Sequence, residues 1–316
     1  MSALRYDPEF YKLAAAGLDK HREVLPVNDV TNRRARVEAF IKGAGQVTLP
    51  ADIEQVVHHA KADDNHDIAI YHFRKKGVDP QAAGPAVAHI HGGGYTCLSA
   101  ADSAPILASY VSTTGVPILS IDYRLAPENP FPIPLEDCWA VLLWIYDHAA
   151  ELGINPSRIA IFGESAGGGL AASLALLARD RKLSPPLAKQ ILVYPMMDDR
   201  TETDHTNGMA VFDVNDVITG WSAYLGDLYK SNKVTPYAAA GRVEDVRGLA
   251  PLYLDCGQLD MFIHEGLVHV QKFIAANIPV EFHIYDGVPH AFQRFAPASK
   301  VARQAVANRL AAMTGF

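Results

Sequence analysis

The residue that most directly suggests chemistry is Ser165, at the centre of the pentapeptide GESAG over residues 163–167. A short apolar run over residues 158–162 precedes it, and a segment with helical character follows from about residue 168 to residue 179. A strand that turns sharply into a helix holds a serine hydroxyl at the carboxyl edge of a sheet, and only small neighbours fit the turn. A bare G-x-S-x-G match also suits a glycine-rich loop, but the flanking strand and helix favour a nucleophile elbow.

A serine hydroxyl is a weak nucleophile at neutral pH, so it needs a base and a third group that orients the base. In chains with such an elbow, the acid and then the histidine follow the serine on loops after later strands. Asp260 follows an apolar run over residues 251–256, and His290 ends a loop of turn-forming residues. We predict Asp260 as the orienting acid and His290 as the base. Asp255 competes for the first role but still belongs to the apolar run, and Asp286 is a turn residue.

Acyl transfer also needs N–H donors that point at the oxyanion of the tetrahedral intermediate. Gly92, Gly93 and Gly94 directly follow an apolar, strand-like run. Without Cβ atoms, their main chain can approach a substrate closely. We expect this loop and the N–H group of Ala166 to form the oxyanion hole. Three glycines after a strand would more often indicate a phosphate-binding or turn loop, but their order relative to the elbow, the acid and the histidine favours the oxyanion role.

Together with one further block, these residues resemble the hormone-sensitive lipase-like family of α/β-hydrolases, which includes many bacterial and fungal carboxylesterases. The matching blocks are HGGG at residues 91–94, DYRLAPE at residues 122–128, GESAG at residues 163–167, and the segments around Asp260 and His290. Within the second block, Arg124 is expected to pair with Glu128 or Asp137. The resemblance implies an α/β-hydrolase fold, with a mostly parallel eight-stranded sheet, helices on both faces and a helical cap.

The resemblance also implies a role for each site residue. These roles are nucleophile for Ser165, orienting acid for Asp260, base for His290, and oxyanion donor for Gly93, Gly94 and Ala166, with Gly92 serving mainly the turn. We therefore predict a serine carboxylesterase that hydrolyses short- to medium-chain esters of small molecules through an acyl-enzyme. A lactonase, an amidase or a deacetylase would use the same triad, and a non-catalytic receptor on the same fold is a further alternative. Dimers are common in the family, so a homodimer is an expectation.

Strand-like and helix-like segments alternate along much of the chain. Apolar runs predict strands near residues 54–59, 67–74, 86–91, 117–121, 158–162, 190–194, 251–256 and 280–285. Apolar positions at helical spacing predict helices over residues 102–114, 135–150, 168–179, 265–276 and 299–313. Crossover helices of this kind are expected to cover a largely parallel sheet.

Two regions interrupt this alternation, and the resemblance implies that they form the cap. We predict residues 1–48 and 197–236 as the two parts of the cap, and residues 49–196 and 237–316 as the two parts of the catalytic core. Apolar cap residues are candidates for lining an acyl pocket, although the majority are expected to pack the cap onto the core: Phe10, Tyr11, Phe40, Met209, Val211, Phe212, Trp221 and Leu225.

Composition and charge limit the classes of partner. At 316 residues, with 49% hydrophobic and 20% charged residues, the chain can bury a large core. A formal net charge of −7 argues against a nucleic-acid partner, and the longest basic runs, Arg33-Arg34 and Lys75-Lys76, are expected on the solvated surface. No apolar stretch approaches the roughly 18 residues of a membrane span. The amino terminus lacks an apolar signal core, so a cytoplasmic protein is expected.

Cysteines and histidines do not suggest a metal site. Cys97, Cys138 and Cys256 lie in or beside apolar segments at wide spacing, which predicts buried thiols rather than disulfides or zinc ligands. His264 and His269 are five residues apart, not the four that place two ligands on one face of a helix. We expect neither a metal nor another cofactor.

Overall fold

One eight-stranded sheet forms the centre of the protein. The computed structural model describes residues 4–20, 24–43, 48–78 and 83–316. The strands are β1 (Ile53–Lys61), β2 (Asp67–Lys75), β3 (Gly84–Ile90), β4 (Ile118–Ile121), β5 (Ile154–Glu164), β6 (Lys189–Val193), β7 (Leu252–Leu259) and β8 (Val280–Pro289). Their order across the sheet is β1-β2-β4-β3-β5-β6-β7-β8. Strand β2 is antiparallel to β1 and β4, and the other neighbouring pairs are parallel. The predicted α/β-hydrolase sheet is confirmed.

Helices connect and flank these strands. Within the described residues they are α1 (Pro8–Lys20), α2 (Val30–Gly43), α3 (Ala104–Thr114), α4 (Ile133–Asp147), α5 (Ala149–Leu152), α6 (Ala166–Asp180), α7 (Val214–Leu225), α8 (Ile263–Ala275), α9 (Phe292–Phe295) and α10 (Lys300–Thr314). The five predicted core helices are confirmed. Helix α6 begins two residues earlier than predicted, because the glycines at residues 167–169 are weak helix formers and conceal its start in the sequence.

The chain changes the direction in which it adds strands to the sheet at β3. The chain passes from β3 to β4 on one side, and then returns across β3 to β5 on the other side. Because crossovers between parallel strands are right-handed, the helices of the first and the later connections lie on opposite faces. The loops that follow the two central strands therefore diverge and leave a crevice at the carboxyl ends of β3 and β5. The glycine loop at residues 92–94 and Ser165 both lie at this crevice.

The two segments predicted to form the cap contact each other. The amide of Asn28 donates to Thr219 Oγ1 at 2.9 Å, and Asn215 Nδ2 donates to the carbonyl of Leu25 at 3.0 Å. Helices α1 and α2 lie in the first segment, and α7 lies in the second. The division of the chain into residues 1–48, 49–196, 197–236 and 237–316 stays a prediction, which these contacts support.

The expectation of a position on the solvated surface is wrong for Arg33, whereas the side chain of Arg34 is 36% exposed. Arg33 is 5% exposed, and its Nε atom donates to Asp216 Oδ1 at 2.7 Å. The guanidinium of Arg34 binds the carboxylate of Glu128. Both acidic partners are distant in sequence, so local charge patterning did not reveal them. Lys76, in contrast, is exposed as expected.

The three cysteines are buried free thiols, as predicted. Burial raises the pKa of Cys97, Cys138 and Cys256 above the usual range. No helix in the described ranges is both long enough and apolar enough to span a membrane.

Five histidines of the described residues are buried, and His72, His91 and His269 are three of them. Burial penalises the charged imidazolium, and it lowers the pKa of each of these three from 6.5 to about 3. All three side chains are therefore neutral in the folded protein near neutral pH.

Acidification from pH 7 to pH 5 should destabilise the fold through these three histidines. In the unfolded chain they take up protons near pH 6.5, whereas in the folded chain they remain neutral down to about pH 3. Because the unfolded state then binds more protons, the free energy of unfolding falls below pH 6.5, with a limiting slope of about 4 kcal/mol per pH unit for three groups. Urea unfolding at pH 7, 6 and 5 measures this slope. His269→Leu should reduce it by about one third, and an unchanged slope in that variant would contradict the explanation.

Candidate active site

Ser165 lies at the turn between β5 and α6. Strand β5 ends at Glu164, and α6 begins at Ala166. Ser165 has φ 57° and ψ −122°, which is an unfavourable backbone conformation for a residue with a side chain. A Cβ atom at Gly163 would overlap the carbonyl of Gly167, so this turn closes only around glycine. The structure thus contains the strained strand-to-helix turn that the sequence predicts.

Two successive hydrogen bonds join the three predicted polar side chains. The Nε2 atom of His290 lies 2.9 Å from Ser165 Oγ, and its Nδ1 atom lies 2.6 Å from Asp260 Oδ2. An ionised carboxylate only accepts hydrogen bonds, so Nδ1 carries the proton and Nε2 can accept from the serine hydroxyl. His290 and Asp260 are both buried. A hydroxyl, an imidazole and a carboxylate in this order can transfer a proton away from an attacking serine.

The two competing acids lie elsewhere. Asp255 accepts from Arg309 Nε at 2.6 Å and from Arg309 NH2 at 2.8 Å, and the hydroxyl of Tyr253 donates to it at 2.8 Å. Both members of the Asp255–Arg309 pair are fully buried. Asp286 is exposed. Of these three acids, Asp260 is therefore the one that contacts the imidazole, and its role as the orienting acid stays a prediction.

Aromatic rings surround the imidazole of His290. Ring centroids lie 4.4 Å away for Tyr194, 5.1 Å for Phe212 and 5.3 Å for Phe262, the last two in edge-on contact. Such packing restricts rotation of the imidazole and keeps water from its face. Phe212 lies in the second predicted cap segment, so this segment contributes directly to the surroundings of His290.

The glycine loop after β3 lies against the serine. A Cβ atom on Gly92 would come within 3.3 Å of the Cβ atom of Ser165, which leaves little room for a side chain. Gly93 and Gly94 have φ values of 113° and 59°. Among the described residues, none of the backbone hydrogen bonds uses the N–H group of Gly93, Gly94 or Ala166 as a donor. These groups are available to a substrate, and their assignment to an oxyanion hole stays a prediction.

His91 braces the start of this loop. Its Nδ1 atom donates to the carbonyl of Gly92 at 2.8 Å, and the hydroxyl of Tyr123 donates to the carbonyl of His91 at 2.9 Å. The rings of His91 and Tyr123 stack with centroids 4.2 Å apart. Because burial keeps His91 neutral, its ring fixes the loop by shape and hydrogen bonding and not by charge.

An ion pair between a buried carboxylate and a partly exposed arginine lies next to the serine and was not predicted. Glu164 directly precedes Ser165 and is 3% exposed in its side chain, and Arg294 NH2 donates to its Oε2 atom at 3.3 Å. Burial alone would raise the pKa of Glu164, but contacts with His89 and Arg294 outweigh burial and lower it. The pair brings together residues 130 positions apart, which no local pattern reveals.

A cavity of about 150 Å³ opens beside Ser165 and His290. Apolar side chains form much of its wall, including Val37, Phe40, Ile41, Phe212, Val217 and Phe295. Of the eight cap candidates, only Phe40 and Phe212 line this cavity. Four others, half of the eight, are buried in packing contacts: Phe10, Val211, Trp221 and Leu225. The sequence interpretation missed Val37, Ile41 and Val217, which lie on the same helices as recognised candidates.

The environment of Arg124 confirms one expected partner and excludes the other. Its Nε atom donates to Asp137 Oδ2 at 2.9 Å, and its NH2 atom donates to Asp137 Oδ1 at 2.6 Å. Glu128 instead binds Arg34, so the alternative Arg124–Glu128 pair is wrong. A second carboxylate, Asp64, accepts from Arg124 NH1 at 2.5 Å and was missed.

The chain is similar to known proteins over most of its length. Residues 87–294 match a family described by the alpha/beta hydrolase fold. Carboxylesterase NlhH of Mycobacterium tuberculosis is 34% identical over 233 residues, which cover 72% of this chain and 73% of NlhH. Ethyl acetate hydrolase of Pseudomonas putida is 26% identical over 291 residues, which cover 90% of each chain.

Solved structures agree with these relationships. The structure named Bacterial Heroin Esterase superposes with a TM-score of 0.88 at 34% identity, covering 98% of this chain and 97% of that chain. The hyperthermophilic esterase of Pyrobaculum calidifontis gives a TM-score of 0.82 at 25% identity, covering 98% of each chain. With the elbow, the sheet and these similarities in agreement, the chain belongs to the hormone-sensitive lipase-like family of α/β-hydrolases.

Proposed function

We propose that the protein is a carboxylesterase that hydrolyses short- to medium-chain esters of small molecules through a covalent acyl-enzyme on Ser165. The observation that carries this proposal is the hydrogen-bonded chain from Ser165 through His290 to Asp260, beside an apolar cavity. The names of the relatives, a carboxylesterase and an ethyl acetate hydrolase, support the ester as the bond that is cleaved.

The first step is acylation. Ser165 Oγ attacks the ester carbonyl, and His290 Nε2 takes the hydroxyl proton as the new bond forms. The carbonyl oxygen becomes an oxyanion, which accepts hydrogen bonds from the N–H groups of Gly93, Gly94 and Ala166. His290 then gives its proton to the leaving alcohol, and the acyl group remains on the serine.

The second step is hydrolysis of the acyl-enzyme. His290 takes a proton from a water molecule, the resulting hydroxide attacks the acyl carbonyl, and the same N–H groups stabilise the second oxyanion. The proton returns to Ser165 Oγ as the acid leaves. Throughout, Asp260 orients the imidazole and stabilises its positive charge, because its carboxylate accepts the Nδ1 proton.

The cavity supports small apolar acyl or alcohol groups as substrates. Its wall is largely aliphatic and aromatic, and its volume of about 150 Å³ suits short chains better than long ones. A series of p-nitrophenyl esters from acetate to palmitate should therefore show kcat/KM highest among the shorter acyl chains and falling steeply towards palmitate. A flat or rising profile would contradict this cavity as the acyl site.

Labelling tests the catalytic assignment independently of the substrate. A fluorophosphonate probe should modify Ser165, and peptide mass spectrometry would locate the adduct. A receptor without catalytic function would leave Ser165 unlabelled and would not cleave esters, and this result would overturn the proposal. Parallel assays with lactones and anilides separate an esterase from a lactonase or an amidase that uses the same groups.

A further inference from the structure

Arg34 joins the predicted cap to two segments of the core at once. From α2, its Nε atom donates to the carbonyl of Thr96 at 2.8 Å, and its NH2 atom donates to the carbonyl of Ala126 at 3.1 Å. Its NH1 and NH2 atoms also bind the two carboxylate oxygens of Glu128, each at 2.7 Å. One guanidinium thus makes four hydrogen bonds. The planar guanidinium of arginine suits such an arrangement, because it carries several N–H donors in a fixed geometry.

Thr96 belongs to the turn that continues from the glycine loop. Within residues 93–98, the carbonyl of Gly93 accepts from the amide of Thr96 at 3.1 Å. Tyr95 and Leu98 have φ values of 64° and 68°, in the left-handed region that residues with side chains rarely adopt. Such conformations persist only where surrounding contacts hold them. The shape of this turn, which includes two of the proposed oxyanion donors, therefore depends on its partners.

Both core residues and Arg34 form hydrogen bonds with the turn at residues 93–98. The hydroxyl of Tyr95 donates to the carbonyl of Met196 at 2.9 Å, and the amide of Ala126 donates to the carbonyl of Tyr95 at 3.0 Å. Arg34 then binds the carbonyls of both Thr96 and Ala126, which ties the turn to the segment that carries Glu128. The hydrogen bonds from Arg34 also lower the pKa of Glu128 to about 2, so this carboxylate stays ionised near neutral pH.

We propose that Arg34 is a positioning residue for catalysis, because its guanidinium holds the turn at residues 93–98 and thereby keeps the N–H groups of Gly93 and Gly94 aimed at the oxyanion. This inference rests on the proposed esterase function. Arg34 does not line the cavity beside Ser165, so it acts on the reaction through the turn and not by contact with the substrate. The cap is then needed for the chemical step as well as for substrate binding.

The chain offers a matched control for this arginine. Arg181 binds both oxygens of Glu136, at 2.8 Å and 2.7 Å, and its side chain is 38% exposed compared with 36% for Arg34. The Arg181–Glu136 pair links the end of α6 to α4, away from the cavity. Arg34→Met and Arg181→Met therefore remove equivalent ion pairs, and only the first removes contacts with the turn.

Steady-state kinetics with p-nitrophenyl butyrate tests the inference. Arg34→Met should lower kcat by about 10- to 100-fold, because displaced N–H donors stabilise the oxyanion less well. Its KM should change less than its kcat, because Arg34 itself does not line the cavity and the apolar side chains from α2 and α7 stay in place. Arg34→Lys keeps the positive charge but loses the planar guanidinium with its several N–H donors. Its kcat should therefore lie between those of the wild type and Arg34→Met. The inhibition constant of an alkyl trifluoromethyl ketone, which forms a tetrahedral oxyanion on serine, should rise by the same factor as kcat falls.

Hydrogen–deuterium exchange provides a readout that needs no activity. Peptides covering residues 92–98 should exchange faster in Arg34→Met than in Arg181→Met, while the thermal midpoints of the two variants remain similar. A kcat for Arg34→Met equal to that of Arg181→Met, or unchanged exchange in this turn, would overturn the inference. A wild-type protein that fails to cleave esters would refute the proposed function instead, and the exchange rates would still decide whether Arg34 holds the turn.

Discussion

Ser165→Ala should lower kcat for p-nitrophenyl butyrate by about four to six orders of magnitude, because the variant lacks the only atom proposed to form the acyl-enzyme. The substitution removes Oγ alone and leaves the backbone of the turn between β5 and α6 intact. KM should change little, because the apolar side chains that form much of the cavity wall are unaltered. Single-turnover and steady-state assays would show loss of both the initial burst and the subsequent turnover.

Ser173→Ala provides the matched control for this experiment. Ser173 is a buried serine in the same helix, α6, and it lies outside the cavity beside Ser165. Its removal should leave kcat within about twofold of the wild type, as is usual for a substitution that touches no reacting group. If Ser165→Ala kept the turnover of Ser173→Ala, Ser165 would not be the nucleophile, and a different group in the cavity would have to carry the reaction.

Asp260→Asn should lower kcat by about three to four orders of magnitude, as the equivalent change does in serine proteases of an unrelated fold. The carboxylate of Asp260 accepts a hydrogen bond from His290 Nδ1 at 2.6 Å. An amide in its place can donate to Nδ1, which favours the tautomer with the proton on Nε2. The serine hydroxyl then has no acceptor for its proton, so the attack slows although the geometry is preserved. Steady-state kinetics together with a crystal structure of the variant would separate these effects.

Asp255→Asn tests whether the choice of acid is specific. This aspartate lies five residues earlier in the chain, but it forms a fully buried ion pair with Arg309. Its replacement should lower the free energy of unfolding by about 3 to 5 kcal/mol, because a buried guanidinium loses its partner. The kcat of the folded variant should stay close to that of the wild type. A larger loss of kcat in Asp255→Asn than in Asp260→Asn would reverse the assignment of the orienting acid.

The candidate site was predictable because its residues follow strands that the sequence marks clearly. Ser165, Asp260 and His290 each come after an apolar run, and the carboxyl ends of parallel strands meet at one edge of the sheet. Turn-forming residues then helped to locate two of them: glycines flank the serine, and Asp286 and Gly287 precede the histidine, although the predicted loop is in fact the end of β8. The order of the motifs along the chain thus contained most of the information about which side chains meet.

The charged contacts around the site were not predictable by the same reasoning. Arg34 and Glu128 are 94 residues apart, and Arg33 and Asp216 are 183 residues apart. In a single sequence, an arginine on the surface cannot be distinguished from an arginine that is buried and paired. Hydrophobic periodicity does not show which carboxylate lies next to a guanidinium. The start of α6 was uncertain for a local reason. The glycines at residues 167–169 have low helix propensity, which hides the start of the helix in the sequence. The fold nevertheless requires glycine there, because neighbouring backbone leaves no room for side chains.

The pairing of β3 with β5 also fixes the position of Ser165 relative to the glycine loop. These two strands pair side by side, with Ile90 opposite Gly163, so the proposed nucleophile and the proposed oxyanion donors of the glycine loop follow adjacent strands of one sheet. Helices α2 and α7, which shape the cavity, are additions outside that sheet. Exchanging these helices and their flanking segments with those of a relative should redirect the preferred ester, provided that the transplanted segments keep an arginine at position 34 and the ring of Phe212 against His290.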